Sequence, residues 1–263
     1  MKRRIFLYLV GLIAIVQVAS ALQAQARSVF WNRWDVLIDQ VNTSENVFRV
    51  TETYDVSFTG PFSFGTAVIP TDRLEHIQNV TVTQNGTPLR ANCTRQSGTY
   101  CVSYEDGDLN IVYSFLSPIR DSRENIEITY DVHGALRSYE GGDQLSWDAI
   151  PTEHYGFPIG AATVSVVLPD DSAPREGIDP VVTYGAPADV QVNGPLVKAV
   201  ATQGVAGDEG LAIRLQYPHD PAMTPPPWQA AFDRQFINLS IIGASLLIGL
   251  GGFILILVKG LLG

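Results

Sequence analysis

Residues Ile237 to Val258 form a run of 22 residues without a single charge. A bilayer core of ~30 Å is spanned by about 20 apolar residues at ~1.5 Å each, so the run predicts a transmembrane helix over 237–258. Glycines at 243, 249, 251 and 252 fit that reading. Each would cost a soluble helix about 1 kcal/mol, whereas glycine is common in membrane helices. Lys259 comes directly after the run and marks the cytoplasmic side, which leaves 259–263 as a short cytoplasmic tail.

The opposite end is apolar too. Lys2, Arg3 and Arg4 precede an apolar stretch from Ile5 to Val18, with small-residue triplets at Ala19-Ser20-Ala21 and Ala24-Gln25-Ala26. That layout is a secretory signal peptide over 1–26, with an uncleaved anchor as the alternative. Both readings export the domain beyond residue 26, so the expected location is the plasma membrane, single-pass, with the N-terminal domain extracytoplasmic. Removing residues 1–26 takes away three basic residues and no acidic one, which moves the formal charge from −10 to −13. Such a domain lacks the basic patch that nucleic acid or anionic headgroups require, so nucleic acid is not an expected partner.

Between the ends, residues 27–220 carry a period of two. From Phe48 to Phe58 five of six alternate positions are apolar, and the other face is Arg49, Thr51, Thr53, Asp55 and Ser57. Similar alternation runs through Leu109–Phe115, Ile126–Val132, Ala162–Leu168 and Leu211–Tyr217, separated by turn pairs such as Asn85-Gly86 and Asp106-Gly107. Strands recurring without a helical period predict an all-β fold: an antiparallel β-sandwich ectodomain with one C-terminal transmembrane helix. One sandwich and two subdomains remain alternatives, with a sub-boundary near 134–143 where glycines gather. Residues 221–236 read as a Pro-rich spacer and interfacial segment, Pro218–Pro227 holding five prolines.

Several residues stand out for their chemistry. Cys93 and Cys101 are the only cysteines, and in an oxidising compartment they predict a disulfide across a short loop or hairpin. Trp228, Phe232 and Phe236 recur every fourth residue and predict an aromatic belt at the membrane interface, with 228–258 as one continuous helix. Ser245, Gly249 and Gly252 make a small-residue stripe that would let the anchor contact a copy of itself or another transmembrane helix. Glu52 interrupts an apolar strand face, where burial requires a raised pKa or a partner such as Arg73 or Arg95. Glu105 to Asn110 reads as an acidic hairpin turn rather than a calcium loop, and Glu153-His154-Tyr155 as loop residues. No G-x-S-x-G, H-E-x-x-H, P-loop or dinucleotide fingerprint occurs, so no catalytic residue, metal or cofactor is expected.

The order of certain segments resembles a known family. Trp34-Asp35-Val36, Phe48-Arg49-Val50-Thr51-Glu52, Phe58-Thr59-Gly60-Pro61-Phe62, Ile69-Pro70 and Ile77-Gln78-Asn79-Val80 come first. Ile128-Thr129-Tyr130-Asp131-Val132, Leu145-Ser146-Trp147, and Pro158-Ile159 leading to Val164–Pro169 come after. Together these residues are similar to the predicted membrane proteins grouped as domain of unknown function 2207. The resemblance implies a signal peptide and a β-rich exported region before transmembrane helices, and it implies no reaction.

The sequence therefore predicts a membrane-anchored, extracytoplasmic, non-enzymatic interaction or envelope-associated module. Its expected partners are the lipid bilayer and another transmembrane helix, an envelope protein or a glycan. The alternative is an exported hydrolase or carbohydrate-active domain whose site is assembled from distant loops.

Overall fold

Alternation becomes strand wherever it is long enough to cover a sheet face, and the Phe48–Phe58 stretch shows this most clearly. All six of its inward positions, Glu52 included, are buried, and their neighbours are half-exposed. The computed structural model describes residues 27–152, 156–169, 172–177 and 179–235. The signal peptide at 1–26, His154, Phe236, the apolar run 237–258 with Ser245, Gly249 and Gly252, and the 259–263 tail lie outside the described residues.

The strands run in chain order. The first half holds β1 (Ser28–Asn42), β2 (Val47–Thr59), β3 (Pro61–Ile69), β4 (His76–Gln84) and the short β5 (Thr87–Pro88) and β6 (Arg90–Ala91). Then come β7 (Thr99–Glu105), β8 (Asp108–Arg120), β9 (Arg123–His133) and β10 (Asp143–Ile150). The second half adds β11 (Ala162–Val167), β12 (Val181–Gly185), β13 (Ala188–Asn193), β14 (Leu196–Ala201) and β15 (Leu211–Tyr217). A short helix, α1, covers 229–235.

An eight-stranded sheet runs β13-β14-β11-β1-β2-β9-β4-β5, with a four-stranded sheet β3-β8-β7-β6 and a three-stranded sheet β10-β15-β12 beside it. Both smaller sheets pack on the large one. The Phe58 ring of β2 meets Phe115 of β8 edge-on at 5.5 Å, and Phe48 of β2 meets Trp147 of β10 at the same distance. The two small sheets take their strands from either side of residues 134–143, but the large sheet draws on both halves. The buried side chains accordingly form one core.

Turn chemistry is local and matches the sequence. Asn85 and Gly86 both have positive φ (50° and 77°) between β4 and β5, as do Asp106 and Gly107 (54° and 93°) between β7 and β8. That pairing is what a two-residue hairpin turn demands. The acidic Glu105–Asn110 stretch is thus a hairpin end.

The expected purely antiparallel arrangement is corrected in two places. β1 pairs with β11 in parallel, from Trp34 opposite Ala162 to Ile38 opposite Val166. β6 pairs with β7 in parallel as well. A parallel joint needs a long crossover rather than a hairpin, and here the chain completes the strands β2 to β10 before returning to β1.

Candidate functional site

Three places gather chemistry-bearing side chains. The first is sealed in the core. Glu52 is 4% exposed, and its two carboxylate oxygens accept hydrogen bonds from the hydroxyls of Tyr54 (2.6 Å) and Tyr130 (2.5 Å). Neither Arg73 nor Arg95 reaches it; Arg73 pairs instead with Asp72 at 2.9 Å. Burial pushes the Glu52 carboxyl above its ordinary range, while the bonds from Tyr130, Tyr54 and Trp34 pull the other way. Burial and the adjacent carboxyl hold Tyr54 and Tyr130 well above the usual phenol range. This knot satisfies its own hydrogen bonds and has no opening among the described residues that line the cavities.

The second place is a staple. Asp143 at the start of β10 is fully buried; Oδ1 faces His219 Nδ1 at 2.9 Å and Oδ2 accepts the Asp220 N–H at 2.8 Å. Thr43 donates to the Asp220 carboxylate from the β1–β2 turn. Tyr217, beside these carboxylates, is buried, and burial drives its hydroxyl above the usual range. The Pro218–Pro227 stretch is therefore not a free spacer. Its backbone is tied to the domain, and Met223 is buried within it.

The staple delivers α1 to a fixed position. Trp228 donates its indole N–H to Gly134 O at 2.7 Å, and Gln229 exchanges bonds of 3.0 and 2.7 Å with the Ser138 backbone. Tyr139 donates to Asp233 at 2.9 Å, and the Arg137 guanidinium lies 4.9 Å from the Phe232 ring centre. Trp228 and Phe232, two of the three residues expected at a membrane interface, thus have partners in the β domain. The described part of the expected 228–258 helix is α1.

The third place is open to solvent. A groove of about 580 Å³ separates the two small sheets. Val68, Pro70, Asp72 and Asp108 come from the four-stranded side, and Asp148, Ile150, Tyr184 and Leu211 from the three-stranded side. Tyr184 is 52% exposed and Asp148 is also exposed. The groove shares Pro70, Asp72 and Asp148 with a smaller cavity of about 40 Å³, whose walls add Arg73, Arg137, Ser146, Trp147 and Trp228. Concave sites of several hundred Å³ between substructures are where ligands usually bind.

The sequence profile described as "Predicted membrane protein (DUF2207) N-terminal domain" matches residues 34–217. The chain belongs to this family. The DUF2207 match takes in every residue of the groove and ends before α1, so Trp228, which lines the smaller cavity, lies outside the matched span. No curated protein matches the chain. Similar solved structures include an M1 zinc metallopeptidase from Deinococcus radiodurans, at 14% identity and a TM-score of 0.39, covering 72% of this chain and 42% of that one. A mutant of an M1 zinc metallopeptidase from the same organism, bound to a Tyr-Ser-Ala substrate, is similar at 14% identity and a TM-score of 0.39, covering 72% and 43%. The chain spans less than half the length of these structures, and a likeness this slight carries no conclusion about function.

Sequence reading located Cys93 and Cys101, which are bonded with Cα atoms 4.6 Å apart. It missed Asp143, Arg137 and the groove. Only the His219-Asp220 pair amid prolines hinted that the segment after β15 has a polar anchor.

Proposed function

We propose that this DUF2207 chain is a single-pass, membrane-anchored module that holds its β domain outside the cytoplasm and recognises a ligand without transforming it. The observation that carries this reading is the open groove between the small sheets, backed by a cavity whose wall includes Trp228, the residue just before α1. The deeply buried carboxylates support it. Glu52 and Asp143 are spent on hydrogen bonds within the core and the staple rather than aimed into the groove.

The test is topological. In membranes from expressing cells, alkaline carbonate should leave the chain in the pellet, and protease added on the extracytoplasmic side should remove epitopes within 27–220. Release by carbonate, or protection of the β domain in sealed right-side-out vesicles, would overturn the reading.

A second reading is favoured by one observation: acids stand on both walls of the groove, Asp72 and Asp108 facing the Asp148 side. Glycoside hydrolysis uses a pair of carboxylates flanking the scissile bond. Turnover of a glycan that disappears in both Asp72→Asn and Asp148→Asn would replace recognition with catalysis.

A further inference from the structure

Arg137 is the least explained charge in the molecule. It is 9% exposed, and its Nε is buried with no hydrogen-bond partner. None of the ion pairs among the described residues includes it. Its neighbours are the Phe232 ring and the Tyr139 hydroxyl, which itself donates to Asp233. Sequestering a guanidinium without an acidic partner is costly, so a site that retains one has a use for an anion.

The space beside it sets the size of that anion. About 40 Å³ has room for a few water-sized groups, enough for one oxyanion and too little for a whole ligand. The remainder must lie in the groove, which Asp108 lines and whose boundary with the cavity is marked by Asp148 and by Asp72, the latter paired with Arg73. A purely anionic ligand would be repelled there, and a purely cationic one would leave Arg137 unmatched. The two compartments together suit a ligand with an oxyanion at one end and a cation a few atoms away.

Location narrows the source. Phe232 is five residues before Ile237, where the uncharged run begins, a reach of at most ~18 Å along the chain. Polar headgroups occupy the layer that such a short tether would reach.

We propose that the Arg137 cavity and the acidic groove form a site for phosphoethanolamine, with the phosphate on Arg137 and the ammonium on Asp148. A primary ammonium donates hydrogen bonds to carboxylates, which a trimethylated one cannot do. The headgroup placement rests on the membrane-anchored reading, whereas the site itself does not.

Calorimetry on the full chain in an uncharged detergent tests it. O-phosphoethanolamine should bind about tenfold or more tightly than inorganic phosphate or ethanolamine, each of which satisfies only one half. Arg137→Gln and Asp148→Asn should each weaken binding about tenfold, while Asp189→Asn on β13 leaves it unchanged. Asp148 is exposed, so its variant keeps the test open if Arg137→Gln fails to fold. Equal affinity for phosphate alone, or wild-type binding by Asp148→Asn, would overturn the proposal. A second arm identifies the source. In nanodiscs of phosphatidylethanolamine the soluble probe should compete with lipid and bind more weakly than in nanodiscs of phosphatidylcholine; equal affinities in both would exclude the lipid headgroup. Release by carbonate would defeat the anchor and leave the binding arms standing.

Discussion

The β2–β9 ladder has two faces, and the carboxyl group behaves oppositely on them. Inward, Val50 stands opposite Tyr130 and Glu52 opposite Ile128; outward, Arg49 stands opposite Asp131 and Thr51 opposite Thr129. Glu52 finds uncharged donors and no cation in the buried core, and its carboxyl is pushed above the ordinary range. Asp131, three pairs along, accepts bonds from Arg49 at 2.8 and 3.2 Å and from Asn79 at 2.8 Å, and its carboxyl is held below that range. The guanidinium bond is the chief cause of the depression, and desolvation is the chief cause of the elevation. The strand decides which face a carboxylate occupies, and the surroundings of that face decide what its ionisation does for stability.

The hardest way to break this comparison is to empty the inner face. Glu52→Ala removes a buried group, leaves a cavity and orphans two hydroxyls, and should destabilise by about 4 kcal/mol in denaturant titration. Glu52→Gln retains an acceptor and should cost about 1 kcal/mol. The pH dependence gives the sharper result. The folded-state carboxyl is raised above its reference of 4.5, so its contribution is complete below that value and fades as pH rises through the folded one. Wild type should therefore lose stability relative to Glu52→Gln as pH climbs past 4.5. Parallel curves for the two proteins would mean that the inner face does not discriminate between charge states.

A covalent constraint away from both faces serves as the control. Reducing and alkylating the Cys93–Cys101 bond, which spans 8 residues of sequence, should lower stability by roughly 2.5 kcal/mol through the freed loop. Because the bond acts largely on the unfolded chain, the loss should be equal at pH 4 and pH 7. A loss that varied with pH would show that the loop communicates with Glu52 or Asp131.

The difference between the faces also explains what could be read in advance. Strands β2, β8, β9, β11 and β15 follow the apolar alternation of their sequences, because one buried face writes a period of two into the chain. Pairing is another matter. The parallel β1–β11 joint links Trp34 to Ala162, and no local signal specifies a partner at that distance. Glu52 was visible as an oddity, but its Tyr130 partner is 78 residues away. The groove and the Arg137 cavity combine residues near 70, 137, 148, 184 and 228. Such a site exists only after the two small sheets and the segment before α1 have come together, so its residues looked like ordinary loop and strand positions. The prolines misled for a related reason: they predicted a spacer, yet the buried Asp143 carboxylate fixes the segment to the domain through the Asp220 N–H.

The outer face should yield the smallest effect. The Arg49 side chain is 36% exposed and that of Asp131 14% exposed, and pairs in such settings are typically worth only about 0.5 kcal/mol because water screens the attraction. A double-mutant cycle with Arg49→Ala and Asp131→Asn should return a coupling of that size, reduced further in 1 M salt, where the screening length falls to ~3 Å. Its pH dependence must run opposite to that of Glu52. Asp131 has a folded-state carboxyl below its reference of 3.8, so its contribution is present above that value and is lost as pH falls through the folded one. Acid should therefore weaken the outer pair while the inner knot reaches full strength. Coupling that survived at pH 2, or exceeded about 2 kcal/mol at pH 7, would show that the outer face is drier than its exposure implies, and the contrast between the two faces would collapse.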